Sequence, residues 1–396
     1  MTAVAHKLDA LFHPASVAII GASSQETHDG DGWVARLLSF GFKGAIYPIN
    51  PKAKEVLGIK AYPSLQEVPK PVDYAILNIP AQSAPEVIQE CSEKGVKLAH
   101  VYSAGFSEMG EEGAALQEEL VRQAKEGGVR LLGPNSLGLY YPAVGLTFDR
   151  NFPKSTGDIA FASQSGSCAM RVVRQGALRG LRFSKVVSYG NAADLNEKDF
   201  AEYLAQDKES RTLAFYLEGV RDEGGFIEEI KAAARSKPVV ILEGGITPGG
   251  RRAAIAHTAC GFSPMWSAFG EVPGLTVVQS LEELVDCLVA FQFLRKPFGK
   301  RVAILGRGAG LGVKVADALE REGFLVPRLG ASASEQLRGI ASGAGAMVEN
   351  PIEPPGPLPV WATFYDQALP ILDGAREVDL VLLNLTLDIH AGQGMD

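Results

Sequence analysis

The stretch SVAIIGASS, residues 16–24, decides the fold class that we assign to this chain. Residues 16–21 form a short apolar run that ends in glycine, which is typical of a buried strand in a parallel sheet. A polar loop follows at residues 22–32, and the apolar periodicity of residues 33–40 predicts a helix. This opening predicts an α/β fold in which helices cover both faces of a parallel sheet.

The same opening, a strand followed by a glycine-containing loop and a helix, recurs at residues 164–166 and at Gly306. The length of 396 residues corresponds to two or three domains at about 150 residues each. We therefore predict three successive domains, at residues 1–150, 151–297 and 298–396. The third is predicted to be partial, since it holds one strand–loop–helix unit and part of a second, and one edge of its sheet is expected to need a cover.

Apolar runs and helical periodicity place the individual elements. The predicted strands are residues 16–21, 45–49, 72–79, 98–102, 130–132, 158–162, 185–189, 212–217, 239–242, 302–306 and 380–385. The predicted helices are residues 33–40, 85–94, 111–125, 167–179, 197–206, 226–235, 264–269, 281–294, 313–322, 335–341 and 361–372. Residues 349–359 contain five prolines, which predicts a loop or hinge.

The composition excludes several classes of protein. Hydrophobic residues make up 46% of the chain, which is enough for sizeable cores and argues against a mainly disordered protein. No apolar run approaches the ~18–20 residues that span a bilayer, and residues 1–16 lack the basic and apolar segments of a secretory signal. A net charge of −8 without a Lys/Arg cluster argues against binding to nucleic acid or to an anionic membrane.

The cysteines indicate the redox environment. They are scattered without a CxxC spacing, at Cys91, Cys168, Cys260 and Cys287. This pattern is typical of reduced thiols and not of a disulfide framework or a zinc site, so we predict a cytoplasmic protein without a metal site.

Two glycine-rich loops follow predicted strands without matching a nucleotide motif. Neither residues 21–32 nor residues 306–312 have the spacing GxGxxG, and the P-loop pattern GxxxxGK(S/T) does not occur. An NAD-dependent dehydrogenase is therefore disfavoured, and each loop alone could be a simple strand-to-helix turn.

The short loop SQSG, residues 163–166, also lies between a strand and a helix. Its glycine allows the backbone to approach an oxyanion closely, so the loop predicts a phosphate or carboxylate site at the helix N-terminus. The alternative is an ordinary helix cap by Ser163 or Ser165.

The loop GGITPGGRRAAIAHTACG, residues 244–261, is the most distinctive of the chain. Glycines surround Arg251, Arg252 and His257, and this combination suits a histidine that must meet phosphate. A structural histidine is the alternative. The remaining histidines lack such a setting; they are His6, His13, His28, His100 and His390.

Nine segments of the chain occur in the order found in one known family. They are SVAIIGAS (16–23), FKGAIYPINPK (42–52), YPSL (62–65), SAGFSEMGEEG (103–113), LLGPNSLG (131–138), SQSG (163–166), FSKVVSYGNAADL (183–195), YLEGVRD (216–222) and AHTACG (256–261). With them the chain resembles the α-subunit of the NDP-forming acyl-CoA synthetases, the ADP-forming acetyl-CoA synthetase branch of the succinyl-CoA synthetase superfamily. The resemblance covers roughly residues 8–295.

The resemblance implies both a fold and an activity. Residues 1–150 would be a Rossmann-like CoA-binding domain, residues 151–297 a flavodoxin-like CoA-ligase domain that carries the histidine loop, and residues 298–396 a partial third, flavodoxin-like ligase domain. The implied reaction interconverts acyl-CoA, phosphate and ADP with carboxylic acid, CoA and ATP. It proceeds through an acyl phosphate and a phosphohistidine.

The resemblance also implies the site residues. His257 would carry the phosphoryl group and Glu218 would hold its other ring nitrogen, where the alternative for Glu218 is a surface carboxylate at a strand end. The implied phosphate-binding residues are Ser163, Gln164, Ser165 and Gly166. The implied CoA-binding residues are Gly21, Ala22, Ser23, Ser24, Asn50, Lys52, Ile79, Pro80, Ala81, Ser103, Ala104, Gly105, Pro134 and Asn135. Among them Lys52 would meet a CoA phosphate, unless it is a solvated surface lysine.

Nothing in the sequence resembles the ATP-grasp domain of this family. The resemblance therefore implies an oligomer in which a separate ATP-grasp β-subunit binds ADP or ATP with Mg. Two departures favour an alternative, a CoA-binding scaffold that has lost catalysis. The loop 22–32 carries Glu26, Asp29 and Asp31 but no Lys or Arg, and Glu243 stands where relatives usually have Lys.

Overall fold

The computed structural model describes residues 8–23, 32–258, 266–269, 272–294, 299–341, 347–354 and 358–385. These residues belong to two compact units, Met1–Phe293 and Leu294–Asp396. Within the described parts of both units, no helix is long and apolar enough to cross a membrane.

The elements of the first unit alternate along the chain. Its strands are β1 (Ser16–Ile20), β2 (Ala45–Ile49), β3 (Glu55–Val56), β4 (Ile59–Lys60), β5 (Tyr74–Leu77), β6 (Leu98–Val101), β7 (Arg130–Leu132), β8 (Gly138–Tyr140), β9 (Ile159–Ser163), β10 (Phe183–Ser188), β11 (Thr212–Leu217), β12 (Val239–Glu243) and β13 (Leu275–Val278). Its helices are α1 (Asp9–Phe12), α2 (Trp33–Phe40), α3 (Ala84–Lys94), α4 (Glu111–Gly127), α5 (Gly166–Leu178), α6 (Glu197–Gln206), α7 (Glu223–Ala234), α8 (Pro248–Thr258), α9 (Trp266–Phe269) and α10 (Leu281–Phe293). Short 3-10 turns lie at Ala81–Ser83, Ser107–Met109 and Pro142–Val144.

The first sheet has the strand order β2-β1-β5-β6-β7, and its neighbouring strands are parallel. Every residue of β1 is buried, because helices cover both faces of the sheet. This confirms the α/β class predicted from residues 16–24. Since the strands are parallel, the loops after β1, β5 and β6 emerge at one edge.

The second sheet has the order β13-β12-β11-β9-β10-β8. Its strands β9 to β13 are parallel, whereas β8 pairs with β10 in the antiparallel direction, with Tyr140 opposite Val186. Because β7 belongs to the first sheet and β8 to the second, the chain passes from one sheet to the other within residues 133–137.

One hydrophobic cluster joins the two sheets. It contains Trp33 and Tyr74 from the first sheet and its helices together with Phe161 and Phe215 from the second. These side chains are at most 4% exposed. The predicted domains at residues 1–150 and 151–297 therefore share one hydrophobic core. This shared core fixes the position of one sheet relative to the other.

The second unit is built around a smaller parallel pair. Its elements are β14 (Val302–Gly306), α11 (Ala309–Arg321), α12 (Ala331–Ile340), α13 (Leu358–Asp373) and β15 (Leu380–Asn384). In this pair Val302 lies opposite Leu380. Arg301 binds the Asp379 carboxylate at 2.6 Å at the start of both strands, and Leu305, Phe364 and Leu372 form part of a separate core. The three-domain division remains a prediction.

The structure contains strands and a helix that the sequence pattern did not predict, and one predicted helix lies partly outside the described residues. The strands β8 and β13 were not predicted, because each is short and lies beside glycine or proline. Only Trp266–Phe269 of the helix predicted at residues 264–269 is among the described residues. The loop predicted after Gly244 is largely helical, since α8 occupies Pro248–Thr258.

The close approach of Gly190 to residues 134 and 135 predicts the effect of a substitution at this glycine. Gly190 has φ +57°, and a Cβ there would lie 2.2 Å from the carbonyl oxygens of Pro134 and Asn135. An L-residue in this conformation costs about 1–2 kcal/mol, and the collision adds to that cost. Gly190→Ala should therefore lower the free energy of unfolding in urea by about 1–3 kcal/mol more than Gly41→Ala does.

Gly41 is the matched control, because its φ is +85° but a Cβ there would meet nothing within 4 Å. Equal losses of stability in the two variants would contradict the predicted collision at residue 190.

Candidate functional site

A cavity of about 830 Å³ lies where the carboxyl ends of the two sheets of the first unit face each other. Its lining comes from the loops after β1, β5 and β6, from residues 135–137 and from the first turns of α5. The lining residues are Gly21, Asn78, Ile79, Pro80, Tyr102, Ser103, Ala104, Asn135, Ser136, Leu137, Ser165, Gly166, Ser167 and Met170. Residues that the sequence assigned to CoA and to phosphate thus meet in one cavity.

The loop after β1 requires glycine at its first position. Gly21 has φ +81°, and a Cβ there would lie 2.2 Å from the Asn78 carbonyl oxygen of the neighbouring loop. The Asn50 side chain donates to the Ala22 carbonyl at 2.7 Å and accepts from the backbone N–H of Lys52 at 2.8 Å. Asn50 therefore holds Lys52, whose side chain is exposed, beside the glycine loop.

The rest of this glycine loop is only partly described. Ala22 is buried and Ser23 is half-buried. Ser24 and the acidic residues Glu26, Asp29 and Asp31 lie outside the described residues.

The loops after β5 and β6 lie side by side. The Ser103 hydroxyl donates to the Ile79 carbonyl. Gly105 has φ +116°, and a Cβ there would be 3.0 Å from the Cβ of Ala81. Ser103 and Ala104 line the cavity, as do Pro80 and Asn135.

Glu108 ties this loop to the second sheet. One of its carboxylate oxygens accepts from the N–H groups of Gly105 and Phe106 at 2.6 and 3.1 Å, and the other accepts from Asn191 Nδ2 at 2.5 Å. Burial acts to raise the pKa of Glu108, but these hydrogen bonds outweigh it and hold the pKa below its usual value. The Asn191 carbonyl in turn accepts from Arg221 Nη2 at 3.0 Å, near the Glu218 loop.

Backbone hydrogen bonds hold the segment after β7, residues 133–137, against the neighbouring loops. The N–H of Asn135, which has φ +54°, donates to the Ser103 carbonyl at 3.0 Å. The Pro134 carbonyl accepts from the N–H of Asn191 at 3.0 Å. Pro134 therefore positions the segment, while Asn135 lines the cavity.

Ser136, which lines the cavity, is held in place by two hydrogen bonds. Its hydroxyl donates to the Ser188 carbonyl at 2.6 Å, and its own carbonyl lies 2.8 Å from His100 Nε2. Complete burial lowers the pKa of His100 to about 4, although the bond to Ser136 opposes this shift. The ring is therefore neutral at physiological pH and donates through Nε2.

In the SQSG loop the side chains of Ser163 and Gln164 are buried, whereas Ser165 and Gly166 line the cavity. Ser163 is buried and donates to the Ser165 carbonyl at 2.7 Å. The buried Gln164 side chain donates to the Gly219 carbonyl at 2.8 Å and accepts from the N–H of Glu218 at 2.5 Å. The Ser163 bond closes the loop on itself and the Gln164 bonds hold it against the end of β11, so a phosphate would meet Ser165 and Gly166, which line the cavity.

Ser165 caps helix α5, since its hydroxyl accepts from the N–H of Cys168 at 3.3 Å. The cap does not exclude an anion site, because the first N–H groups of a helix have no partner within the helix. Gly166 is packed against Leu137, whose Cγ would be 2.7 Å from a Cβ on that glycine. A larger residue at position 166 would thus displace this wall of the cavity.

Glu218 follows β11 and is half-buried, unlike a fully exposed carboxylate at a strand end. Its Oε1 accepts from the Tyr216 hydroxyl at 3.0 Å. Burial raises the pKa of Tyr216 well above its usual value and the Glu218 charge adds to the effect, so that the hydroxyl stays protonated and donates. Gly244 is needed nearby, because a Cβ there would be 2.9 Å from the Tyr216 hydroxyl and 3.2 Å from Glu218 Cγ.

Helix α8 carries the backbone of His257 in its last turn. It begins at Pro248, a residue favoured at the first helical position, and the Thr247 hydroxyl accepts from the N–H of Gly250 at 3.1 Å. A Cβ on Gly245 would lie 3.3 Å from the Ala254 Cβ and 3.7 Å from the Glu218 carbonyl oxygen. His257 thus lies about one turn beyond Ala254, which packs near Gly245, and Gly245 in turn lies near the Glu218 carbonyl. The side chain of His257 is outside the described residues.

Two family models match the chain in sequence order. The model described as "CoA binding domain" matches residues 15–142, and the model described as "Succinyl-CoA ligase like flavodoxin domain" matches residues 156–291. The acetate–CoA ligase (ADP-forming) I subunit alpha of Pyrococcus furiosus is 36% identical over 325 residues, which are 80% of this chain and 70% of that subunit. The chain belongs to the ADP-forming acetate–CoA ligase family.

Other members of the ADP-forming acetate–CoA ligase family differ in length. The acetate–CoA ligase (ADP-forming) I of Archaeoglobus fulgidus is 38% identical over 383 residues, which are 96% of this chain but 55% of that protein. The chain thus spans about half the length of this relative.

A solved structure has a fold similar to that of this chain. The dinucleotide-forming acetyl-coenzyme A synthetase 1 of Ca. Korarchaeum cryptofilum, in complex with phosphate and ADP, has 31% sequence identity and a TM-score of 0.84. The match covers 96% of this chain and 82% of that one.

The structure groups the predicted residues in three ways. Several line the cavity, namely Gly21, Ile79, Pro80, Ser103, Ala104, Asn135, Ser165 and Gly166. Others hold those residues in place through hydrogen bonds or close approach, namely Ala22, Asn50, Ala81, Gly105, Pro134, Ser163 and Gln164. Glu218 lies next to the SQSG loop, since its N–H donates to Gln164 Oε1, and the backbone of His257 belongs to helix α8. The roles of these residues stay predictions.

The link through Glu108 predicts a pH-dependent effect on stability. Glu108→Gln should lower the free energy of unfolding by about 1.5–3 kcal/mol at pH 7, because the variant loses hydrogen bonds to a charged group. The folded-state pKa of Glu108 is depressed, so its stabilising effect is present above the unfolded pKa and is lost as the pH falls through the folded value. The difference between wild type and variant should therefore shrink as the solution is acidified below the usual carboxylate range.

Urea unfolding at a series of pH values measures this difference. Glu67→Gln is the control, because Glu67 is exposed. A loss that is the same at every pH would show that the ionised form of Glu108 contributes nothing.

Proposed function

We propose that this chain is the α-type subunit of an NDP-forming acyl-CoA synthetase. It interconverts acyl-CoA, phosphate and ADP with carboxylic acid, CoA and ATP. The observation that carries the proposal is the single cavity that joins the loops after β1, β5 and β6 to the N-terminus of α5. The family membership and the match of residues 15–142 to a CoA-binding model support the same assignment.

CoA would lie along the edge of the first sheet. The backbone at Gly21 and at Ser103–Gly105 would contact it at close range, because positive φ values and small side chains bring the chain near the cavity. Lys52, held in place by Asn50, would meet a phosphate of CoA.

Inorganic phosphate would bind at the first turn of α5, where Ser165 and Gly166 face the cavity. A phosphate oxygen attacks the carbonyl carbon of the thioester. The C–S bond breaks, CoA leaves as the thiolate and takes up a proton, and an acyl phosphate remains at the helix N-terminus.

The phosphoryl group then moves to His257. A nitrogen of the neutral imidazole attacks phosphorus, and the bond between phosphorus and the acyl oxygen breaks to release the carboxylate. Glu218 would accept the N–H of the other ring nitrogen and stabilise the positive charge that develops. The bond from Tyr216 to Glu218 Oε1 supports this role, since it orients the carboxylate.

ADP, with Mg, would accept the phosphoryl group on a separate ATP-grasp subunit. One observation supports a separate subunit, namely that the P. furiosus relative is itself named a subunit alpha.

Glu243 supports the second candidate function, a CoA-binding scaffold without catalysis. It ends β12 opposite Leu217, the residue before Glu218, so two carboxylates approach the proposed phosphoryl site. Burial raises the pKa of Glu243, although Arg251 opposes this effect. A carboxylate at position 243 would repel the phosphate or phosphoryl group that the catalytic function requires nearby.

Labelling with radioactive phosphate in the presence of acyl-CoA distinguishes the two functions. The wild type should acquire an acid-labile, base-stable phosphohistidine, and His257→Ala should acquire none. Glu218→Gln should slow the labelling by about 100-fold, since a positioned acid–base group typically contributes at least that much. His13→Ala, which alters an exposed histidine, should label as the wild type does.

A wild-type protein that binds CoA but remains unlabelled would establish the scaffold instead. Formation of ATP from acyl-CoA, phosphate and ADP by the purified chain alone would contradict the need for a separate ATP-grasp subunit.

A further inference from the structure

The position of the acyl group follows from the proposed function, on which this inference rests. The thioester carbonyl must lie between the thiol end of CoA and the attacking phosphate. The cavity runs from the Ser103 loop to the N-terminus of α5, so the acyl group must lie near the latter end.

Two apolar side chains line the cavity at this end, Leu137 and Met170. Both are half-buried and pack against the shared core, which holds them in place. Leu137 lies directly against Gly166, as the 2.7 Å approach of its Cγ to a Cβ on that glycine shows. In the proposed reaction its side chain would therefore lie next to the carbonyl carbon that phosphate attacks.

Met170 lies farther from the reacting carbon on the same face of the helix. It follows Gly166 by four residues in α5, which places it on the same side, about 6 Å along the helix axis. An acetyl group at the N-terminus of α5 would end before this side chain, whereas a longer acyl chain would reach it.

The charges around the cavity point to the same class of substrate. None of its lining side chains in the described part of the chain is Asp, Glu, Lys or Arg. A second carboxylate on the acyl group would lose its hydration there without gaining a cationic partner, which is unfavourable.

We propose that Leu137 and Met170 determine the acyl specificity of this site, with Met170 setting the length limit for an uncharged, apolar acyl group. Leu137 contacts the acyl carbons next to the carbonyl. Met170 closes the space that the far end of a longer acyl chain would enter. Truncation of Met170 should therefore admit longer acyl chains, and a larger side chain should exclude them.

The test uses the full chain with phosphate and a series of acyl-CoAs, namely acetyl-, butyryl-, hexanoyl- and succinyl-CoA. Release of the CoA thiol and labelling of His257 are followed for each substrate. In the wild type, succinyl-CoA should react at least 10-fold less efficiently than butyryl-CoA.

In Met170→Ala the ratio of the hexanoyl-CoA to the acetyl-CoA rate should rise about 10-fold, because space for a methylene or more in a pocket changes specificity by 10-fold or above. In Met170→Trp the same ratio should fall. The two variants move the ratio in opposite directions, which a general loss of folding would not do. Met109→Ala is the matched control, since Met109 is 71% exposed and is not among the residues that line the cavity.

An unchanged ratio in both Met170 variants, or succinyl-CoA reacting as well as butyryl-CoA, would overturn the proposed specificity while leaving the proposed function intact. Absence of thiol release with every acyl-CoA would overturn the proposed function, and the specificity with it.

Discussion

The cavity depends on one backbone contact, the docking of residues 133–135 onto the loop that follows β10. The N–H groups of Asn191 and Ala193 donate to the carbonyls of Pro134 and Gly133, each at 3.0 Å. These bonds lie between β7 of the first sheet and β8 of the second, so they hold the two carboxyl edges against each other. Every residue that lines the cavity comes from one of these edges or from the segment between them.

The fold class was predictable because a buried parallel strand is an uninterrupted apolar run. The runs at β1, β11 and β14 are unambiguous, and their positions match the structure. The strand β8 could not be predicted in this way, because it is very short and begins with Gly138. The helix α8 was missed for another reason. The glycines in its first turn suggested a loop, but Pro248 starts a helix and the alanines that follow continue it.

The site was only partly predictable. The loops at Gly21 and Ser163–Gly166 can be recognised because glycine and hydroxyl residues follow apolar runs. The contact between Glu108 and Asn191 joins residues 83 positions apart across two sheets, and no local pattern signals it. Gln164 was expected to face phosphate, whereas distant backbone groups engage its side chain. The apolar wall formed by Leu137 and Met170 is likewise created by tertiary packing.

The hydrophobic cluster shared by the two sheets has a consequence for reaction rate. Two reactants held on separately moving domains must be aligned in each catalytic cycle, and the lost freedom of motion raises the barrier. Here both sets of loops rise from one packed core, so the proposed CoA and phosphate positions are aligned when the chain folds. Such prior alignment would give the phosphate a high effective concentration at the thioester of the acyl-CoA. In the proposed reaction, the packing of Trp33 and Phe161 in this cluster would thus contribute to the rate.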